Sequence, residues 1–216
     1  MPTRSAPAAA DTAAGFRVYP GLLVGEDQRR LVESLRDAAP AAPFFVPTMP
    51  RTGKPFSVRM TNLGPLGWVS DKDGGYRYQP THPETGRQWP PIPAMVLDVW
   101  RAVSGYPHDP EACLVNFYGP TARMGLHQDR DEEDFTAPVV SISLGDTCLF
   151  RIGGTRRNDP TRSLKLSSGD VVVLGGESRL AFHRVDRIHP GTSTLLGGWF
   201  PAGGRINLTL RRVTRP

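Results

Sequence analysis

A chain of 216 residues, 38% hydrophobic and 22% charged, suits one globular domain that needs neither disulfides nor a structural metal to bury a core. No apolar run approaches the roughly 18 residues of a membrane span, and the N-terminal MPTRSAPAAADTAAG lacks the apolar region of a secretory signal. The two cysteines, Cys113 and Cys148, match no metal or redox spacing, so the expectation is reduced core thiols in a cytoplasmic protein; the chain is expected to act as a monomer.

The net charge of +5 rests on arginine: lysine supplies three of the 26 basic residues (Lys54, Lys72, Lys165) and arginine the other 23. Arginine's planar fork suits phosphates and carboxylates. A GC-rich genome would enrich Arg, Ala, Gly and Pro together, however, so charge alone decides nothing.

In chain order, residues 1–14 read as a disordered Ala/Pro tail, and Phe16 to Leu23 as a first strand. Leu31, Val32 and Leu35 recur at helical spacing between Asp27 and Ala38. Residues 40–93 are rich in Pro, Gly and aromatics without regular periodicity, and that much irregular chain in a compact domain points to binding. A second helix begins after Pro93, with Met95, Val96, Val99, Trp100 and Val103 as its apolar face. From residue 111 the character changes to short strands at 112–118, 139–145, 148–154, 162–168, 170–176, 179–185 and 205–212. No helix intervenes, so the spacing predicts an antiparallel barrel or jelly roll with the helices outside, a mainly β fold with flanking helices. There is no internal repeat and no second domain.

The sharpest local feature is His127-Gln128-Asp129. In an extended segment, residues two apart share a face, so one imidazole and one carboxylate can converge. His183, in the strand-like RLAFHRV, can supply a third ligand from a facing sheet; His189 is a rival in a turn, and His82 and His108 lie in Pro-rich loops. Two histidines and a carboxylate form the facial triad of non-haem iron oxygenases, which leaves positions open for a bidentate co-substrate and O₂. On its own, His-x-Asp also arises by chance. The second feature is the strict alternation of RINLTLR, which gathers Arg205, Asn207, Thr209 and Arg211 on one face. Turned inward, such a face is costly unless it meets anions, and a dicarboxylate such as 2-oxoglutarate supplies a carboxylate at each end. A solvated arginine face is the simpler reading when the triad is ignored.

The runs NFYGPTARMGLHQDRDEEDF, SLGDTCLFRIGGTRRNDP, GDVVVLGGESRLAFHRV and RINLTLR resemble the bacterial AlkB dioxygenases in order and spacing. SVRMTNLGPLGWVSDKDGGYRYQP and HPETGRQWPPIP extend the resemblance over almost everything after residue 15. It implies one dioxygenase domain over 15–216, with helices and a nucleotide-recognition lid in 15–110 and a double-stranded β-helix (jelly roll) core in 111–216. It implies Fe(II) held by His127, Asp129 and His183, with 2-oxoglutarate and O₂ as co-substrates. Leu114, Asn116, Tyr118, Met124, Arg205, Asn207, Thr209 and Arg211 would form the 2-oxoglutarate site, Arg205 at the distal carboxylate and Asn207 and Arg211 nearer the iron.

Trp68 and Tyr76 correspond to the family's base-stacking lid. The segment between them is one residue longer than the family pattern, so Tyr78 stands beside Tyr76 as the stacking residue. Asp131 and Glu132 would read a cationic lesion, and Arg157 and Arg123 would contact the nucleic acid. RTGKPFSV diverges from the family, leaving Thr52 a candidate contact. The implied reaction is oxidative demethylation of 1-methyladenine and 3-methylcytosine in single-stranded DNA, with RNA or duplex DNA carrying a flipped base as further partners. It releases formaldehyde, succinate and CO₂. The alternatives are a 2-oxoglutarate oxygenase acting on RNA or protein, a catalytically silent jelly-roll module that binds nucleic acid, and a zinc hydrolase, which has no need of the arginine face.

Overall fold

A computed structural model describes residues 8, 9 and 11–216; residues 1–7 and 10, most of the expected tail, lie outside it. The first half holds β1 (Asp11–Ala13), β2 (Phe16–Tyr19), α1 (Gly25–Ala38), β3 (Arg59–Leu63), β4 (Gly67–Asp71), β5 (Gly75–Gln79) and α2 (Ala94–Val103). The second half holds β6 (Ala112–Tyr118), β7 (Met124–His127), β8 (Val139–Gly145), β9 (Cys148–Ile152), β10 (Arg162–Leu166), β11 (Val171–Leu174), β12 (His183–Ile188) and β13 (Arg205–Arg211). Seven strands form one antiparallel sheet in the order β1-β2-β11-β8-β13-β6-β3, four form a second in the order β10-β9-β12-β7, and β4 and β5 make a separate hairpin.

The two larger sheets face each other as a jelly roll, and alternation along the strands explains how both of its cores form. In β6, Leu114 and Tyr118 point between the sheets, while Cys113, Val115 and Phe117 point the other way, toward the helices. Strand β13 repeats this: Ile206, Leu208 and Leu210 pack in the helix-side core with Leu31 and Leu35 of α1 and Val96 and Trp100 of α2. Because both faces are covered, β6 is buried along its whole length. Helix α1 begins with Glu26 and Asp27 and ends near Arg36, charges that complement the helix dipole.

Three expectations change. The stretch 40–93 contains β3, β4 and β5, five residues each, whose buried positions do not alternate and so gave no period-two signal. The strand expected over 179–185 begins only at His183, because Ser178 to Ala181 close a turn through the Ala181 N–H donated to the Ser178 carbonyl at 3.0 Å. Asp11–Ala13, inside the expected tail, pair with β2.

One close approach needs glycine. Gly204 sits at φ +124° just before β13, and a Cβ there would lie 2.6 Å from the carbonyl oxygen of Tyr118. That contact lets β13 start directly beside the end of β6, where the register pairs Arg205 with Tyr118.

Replacing Leu208, which has no exposed surface, with Ala should cost about 2–5 kcal/mol. Urea denaturation should show a lower midpoint with an unchanged slope.

Candidate active site

Strands β7 and β12 pair so that His127 lies opposite His183, with ring centroids 4.4 Å apart. Asp129 follows two residues beyond His127, past the end of the strand, where the chain turns into the loop before β8. Its carboxylate oxygens lie 3.9 Å from the His127 Nε2 and 3.8 Å from the His183 Nε2. One ligand atom from each residue falls within 4.8 Å of the others, a set that can share one ion. Each imidazole donates its Nδ1–H to a backbone carbonyl, His127 to Gly125 at 2.8 Å and His183 to Ala181 at 3.0 Å. Those bonds fix the tautomers and leave both Nε2 lone pairs for a metal. Desolvation of the partly exposed ring in the cavity wall, with the second imidazole beside it, lowers His127 to about 4, which favours the neutral ligand at neutral pH.

Burial is the largest single influence and opposes the charge on Asp129, but Arg211, the two imidazoles and Arg179 together outweigh it and keep the carboxyl below its ordinary range. The Arg211 guanidinium donates to the Asp129 Oδ1 at 2.7 Å. A residue that the sequence reading overlooked completes the support: Arg179, only 3% exposed, donates to the carbonyls of Asp129 at 2.7 Å and Ala137 at 2.8 Å and to the Glu132 carboxylate at 3.0 Å. It lies in the GESRL run beside the turn that shortens β12. Nothing in periodicity marks it; unlike Arg205 and Arg211, which the alternation of β13 reveals, it shows itself only through its burial in the fold.

A cavity of about 660 Å³ opens from this cluster between the sheets. Its polar wall is built by β6 and β13, where the register sets Tyr118 opposite Arg205, Asn116 opposite Asn207 and Leu114 opposite Thr209. Two features fit an oxygen-rich dianion. The Asn116 Oδ1 is buried without a hydrogen-bond partner among the described residues. Arg205 is 1% exposed and, among the described residues, donates only to neutral acceptors, the carbonyls of Asp146 and Leu166 and the Ser143 hydroxyl. A buried cation without a carboxylate is expensive, and the distal carboxylate of 2-oxoglutarate is the natural complement. The Asn207 amide is engaged by Ser141, Ile142 and Thr209. Burial pushes the Tyr118 phenol well up, so it remains a donor at any working pH. The residues present fit Fe(II) and 2-oxoglutarate.

At the mouth stands the β4–β5 hairpin. The Trp68 indole N–H donates to the Asp131 carboxylate at 2.8 Å, and Tyr76, 52% exposed, stacks on Trp68 with centroids 5.5 Å apart. Tyr78 is different: its hydroxyl bonds the Glu132 carboxylate and accepts from Arg211 at 3.1 Å. The register explains the division, since Tyr78 lies directly opposite Trp68 and Tyr76 opposite Ser70, nearer the tip. Of the two tyrosines, Tyr76 is therefore the one at the cavity.

Met124 and Arg157 also line the cavity, whereas Glu132, Tyr78, Arg123 and Thr52 do not. Glu132 was expected to face the substrate; instead its side chain has no exposed surface and is held by Arg179 and, at 3.5 Å, by Arg211. A carboxylate buried that deeply needs cations around it, and these two lie beneath the site. Arg123 is exposed, and its backbone N–H donates to the Ser57 hydroxyl at 3.1 Å. Thr52 is exposed in the loop before β3.

The profile of the 2OG-Fe(II) oxygenase superfamily matches residues 15–211. The chain is 59% identical over 201 residues to the alpha-ketoglutarate-dependent dioxygenase AlkB homolog of Caulobacter vibrioides, covering 92% of this chain and 88% of that one. It is 42% identical over 190 residues to AlkB of Escherichia coli, covering 85% and 84%. The solved structure of OsALKBH1 superimposes with a TM-score of 0.79 at 32% identity, over 95% of this chain and all of that one. With the triad and the dicarboxylate wall in place, the chain belongs to the AlkB family of the 2OG-Fe(II) oxygenase superfamily and is an iron(II)- and 2-oxoglutarate-dependent dioxygenase.

Proposed function

We propose that this dioxygenase demethylates 1-methyladenine and 3-methylcytosine in single-stranded DNA, and in RNA as well, as a direct-reversal repair enzyme acting as a monomer in the cytoplasm. The observation that carries this reading is the pairing of Trp68 with Asp131 at the mouth of the cavity that holds the triad. Both lesions are cations at neutral pH. An indole face attracts a cationic ring, and a carboxylate beside it adds to the attraction. An unpaired nucleotide reaches such a cavity at the lowest unstacking cost. Both cysteines are free, which agrees with a reducing compartment.

Bound iron(II), with 2-oxoglutarate and O₂, supplies the oxidation of the N-methyl carbon. The chain's own contribution is placement. His127 and His183 present their Nε2 atoms, the Nδ1 of each being engaged by a backbone carbonyl, and Asp129, ion-paired to Arg211, adds the one carboxylate ligand. Arg205, Asn116 and Tyr118 orient the dicarboxylate. The hydrogen bond from Trp68 to Asp131 sets the plane of the indole on which the base stacks, and with Tyr76 and Phe56 around it, water is excluded from the methyl group.

The central test is mass spectrometry of a single-stranded oligonucleotide bearing 1-methyladenine, incubated with protein loaded anaerobically with iron(II) and then given 2-oxoglutarate and O₂. The expected result is loss of one CH₂ mass, dependent on 2-oxoglutarate and abolished in His127→Ala. Succinate formed with the oligonucleotide unchanged would redirect the substrate to another class. Trp68→Ala should raise the KM for the oligonucleotide by about 5- to 150-fold, corresponding to about 1–3 kcal/mol of stacking, while substrate-independent succinate formation continues. Arg205→Ala should raise the KM for 2-oxoglutarate by about 10- to 100-fold, as loss of charge-assisted hydrogen bonds requires, and leave oligonucleotide affinity unchanged.

A further inference from the structure

The four-stranded sheet has an outer face as well as an inner one. Its inner positions, such as Phe150, Ile152 and Val185, are buried in the core. On the outside, the register sets Arg184 opposite Arg151 and Arg151 opposite Ser163, one row across β12, β9 and β10. The next row sets Arg187 opposite Leu149 and Leu149 opposite Lys165. The rows lie two residues apart along β9, about 6.8 Å. Lys165 and Arg187 are exposed, and Arg151 and Arg184 keep 36% and 37% of their side-chain surface.

Like charges directly opposite each other destabilise a sheet. Asp186, where the register of β12 slips between Val185 and Arg187, relieves part of that cost by forming an ion pair with Arg184, whose Nε lies 2.7 Å away, and by accepting a hydrogen bond from the Nε of Arg151. Among the described residues it is the one carboxylate at these outward positions, so four cations face one anion. That leaves a net excess of three positive charges on the face. The face also does not stand alone. Strand β9 runs from it into the loop 153–161, which carries exposed Arg156 and Arg157. Arg157 lines the cavity and donates to the Leu126 carbonyl at 3.3 Å. A basic track thus leads from the outer face to the mouth of the active site.

We propose that this outer face is a second contact surface for the nucleic-acid strand, taking backbone phosphates several nucleotides away from the base in the cavity. The proposal rests on the nucleic-acid reading given above. Arginine forks match phosphate oxygens. No aromatic side chain stands among these outward positions, so the contact is to phosphate and carries no base preference. DNA and RNA offer the same chemistry here.

The test is fluorescence anisotropy of full-length wild type and the R151Q/K165Q/R184Q/R187Q variant with unmodified single-stranded oligonucleotides of about five and about twenty nucleotides, as DNA and as RNA, over a series of salt concentrations. The variant should bind the short strand as wild type does and the long strand about tenfold or more weakly. Its slope of log affinity against log salt on the long strand should fall by about 2 to 3, as up to four lost phosphate contacts at about 0.7 each require. Equal affinity and equal slope on the long strand overturn the proposal. So does a variant that binds the long strand normally but no longer binds vesicles of anionic phospholipid, which would assign the face to a membrane surface. If the fourfold variant loses its thermal transition, K165Q/R187Q, which changes only the two exposed side chains, should show about half the change in slope. Demethylation of a short 1-methyladenine oligonucleotide by the same proteins separates the two readings. Turnover with no length effect sinks only the outer face, and a length effect without turnover sinks only the repair reaction.

Discussion

Two carboxylates and two guanidinium groups are buried together beneath the metal-binding residues, and the site depends on their balance. Asp129 and Glu132 are the anions; Arg211, from the end of β13, and Arg179, from the turn before β12, are the cations. Removing one member of such a group leaves an uncompensated charge away from water, which costs about 3–5 kcal/mol. The four residues come from three separate parts of the chain, so the network also fixes where the loop after β7 must lie. That loop places the Asp129 carboxylate against two imidazoles whose tautomers are set by their own backbone bonds.

Much of this was legible in one dimension because β13 alternates so strictly. A strand buried on both faces usually reads as a continuous apolar run. Here the helix side is aliphatic, Ile206, Leu208 and Leu210, and the cavity side is polar, so the sequence shows the lining of the cavity directly. The pair His127 and Asp129 was legible for a related reason: two ligand types two residues apart are rare enough to notice, even though Asp129 lies just past the strand. The helices followed from their apolar stripes.

Other residues could not be read this way, and the physical reason is common to them. Glu132 and Arg179 look like surface charges, since nothing local distinguishes a solvated carboxylate from one enclosed by two arginines from distant elements. The difference between Tyr76 and Tyr78 depends on the register of a hairpin and on what lies behind it, which is Glu132 and Arg211 for Tyr78 and the open cavity for Tyr76. Strands β3 to β5 are short, and β3 and β4 are almost wholly buried, so they offered no alternation to detect.

The β4–β5 hairpin forms a sheet of its own rather than an extension of either large one. It carries Trp68 and Tyr76, while every metal-binding side chain belongs to the jelly roll or to the loop leaving it. Side-chain hydrogen bonds pin it to the centre at two places, Trp68 to Asp131 and Tyr78 to Glu132 and Arg211. The arrangement separates inheritance of the chemistry from inheritance of the target. Substitutions in the hairpin away from those two pins can accumulate at little cost to the core, so one oxidising centre can be carried from one substrate to another over evolutionary time while the metal-binding residues stay fixed.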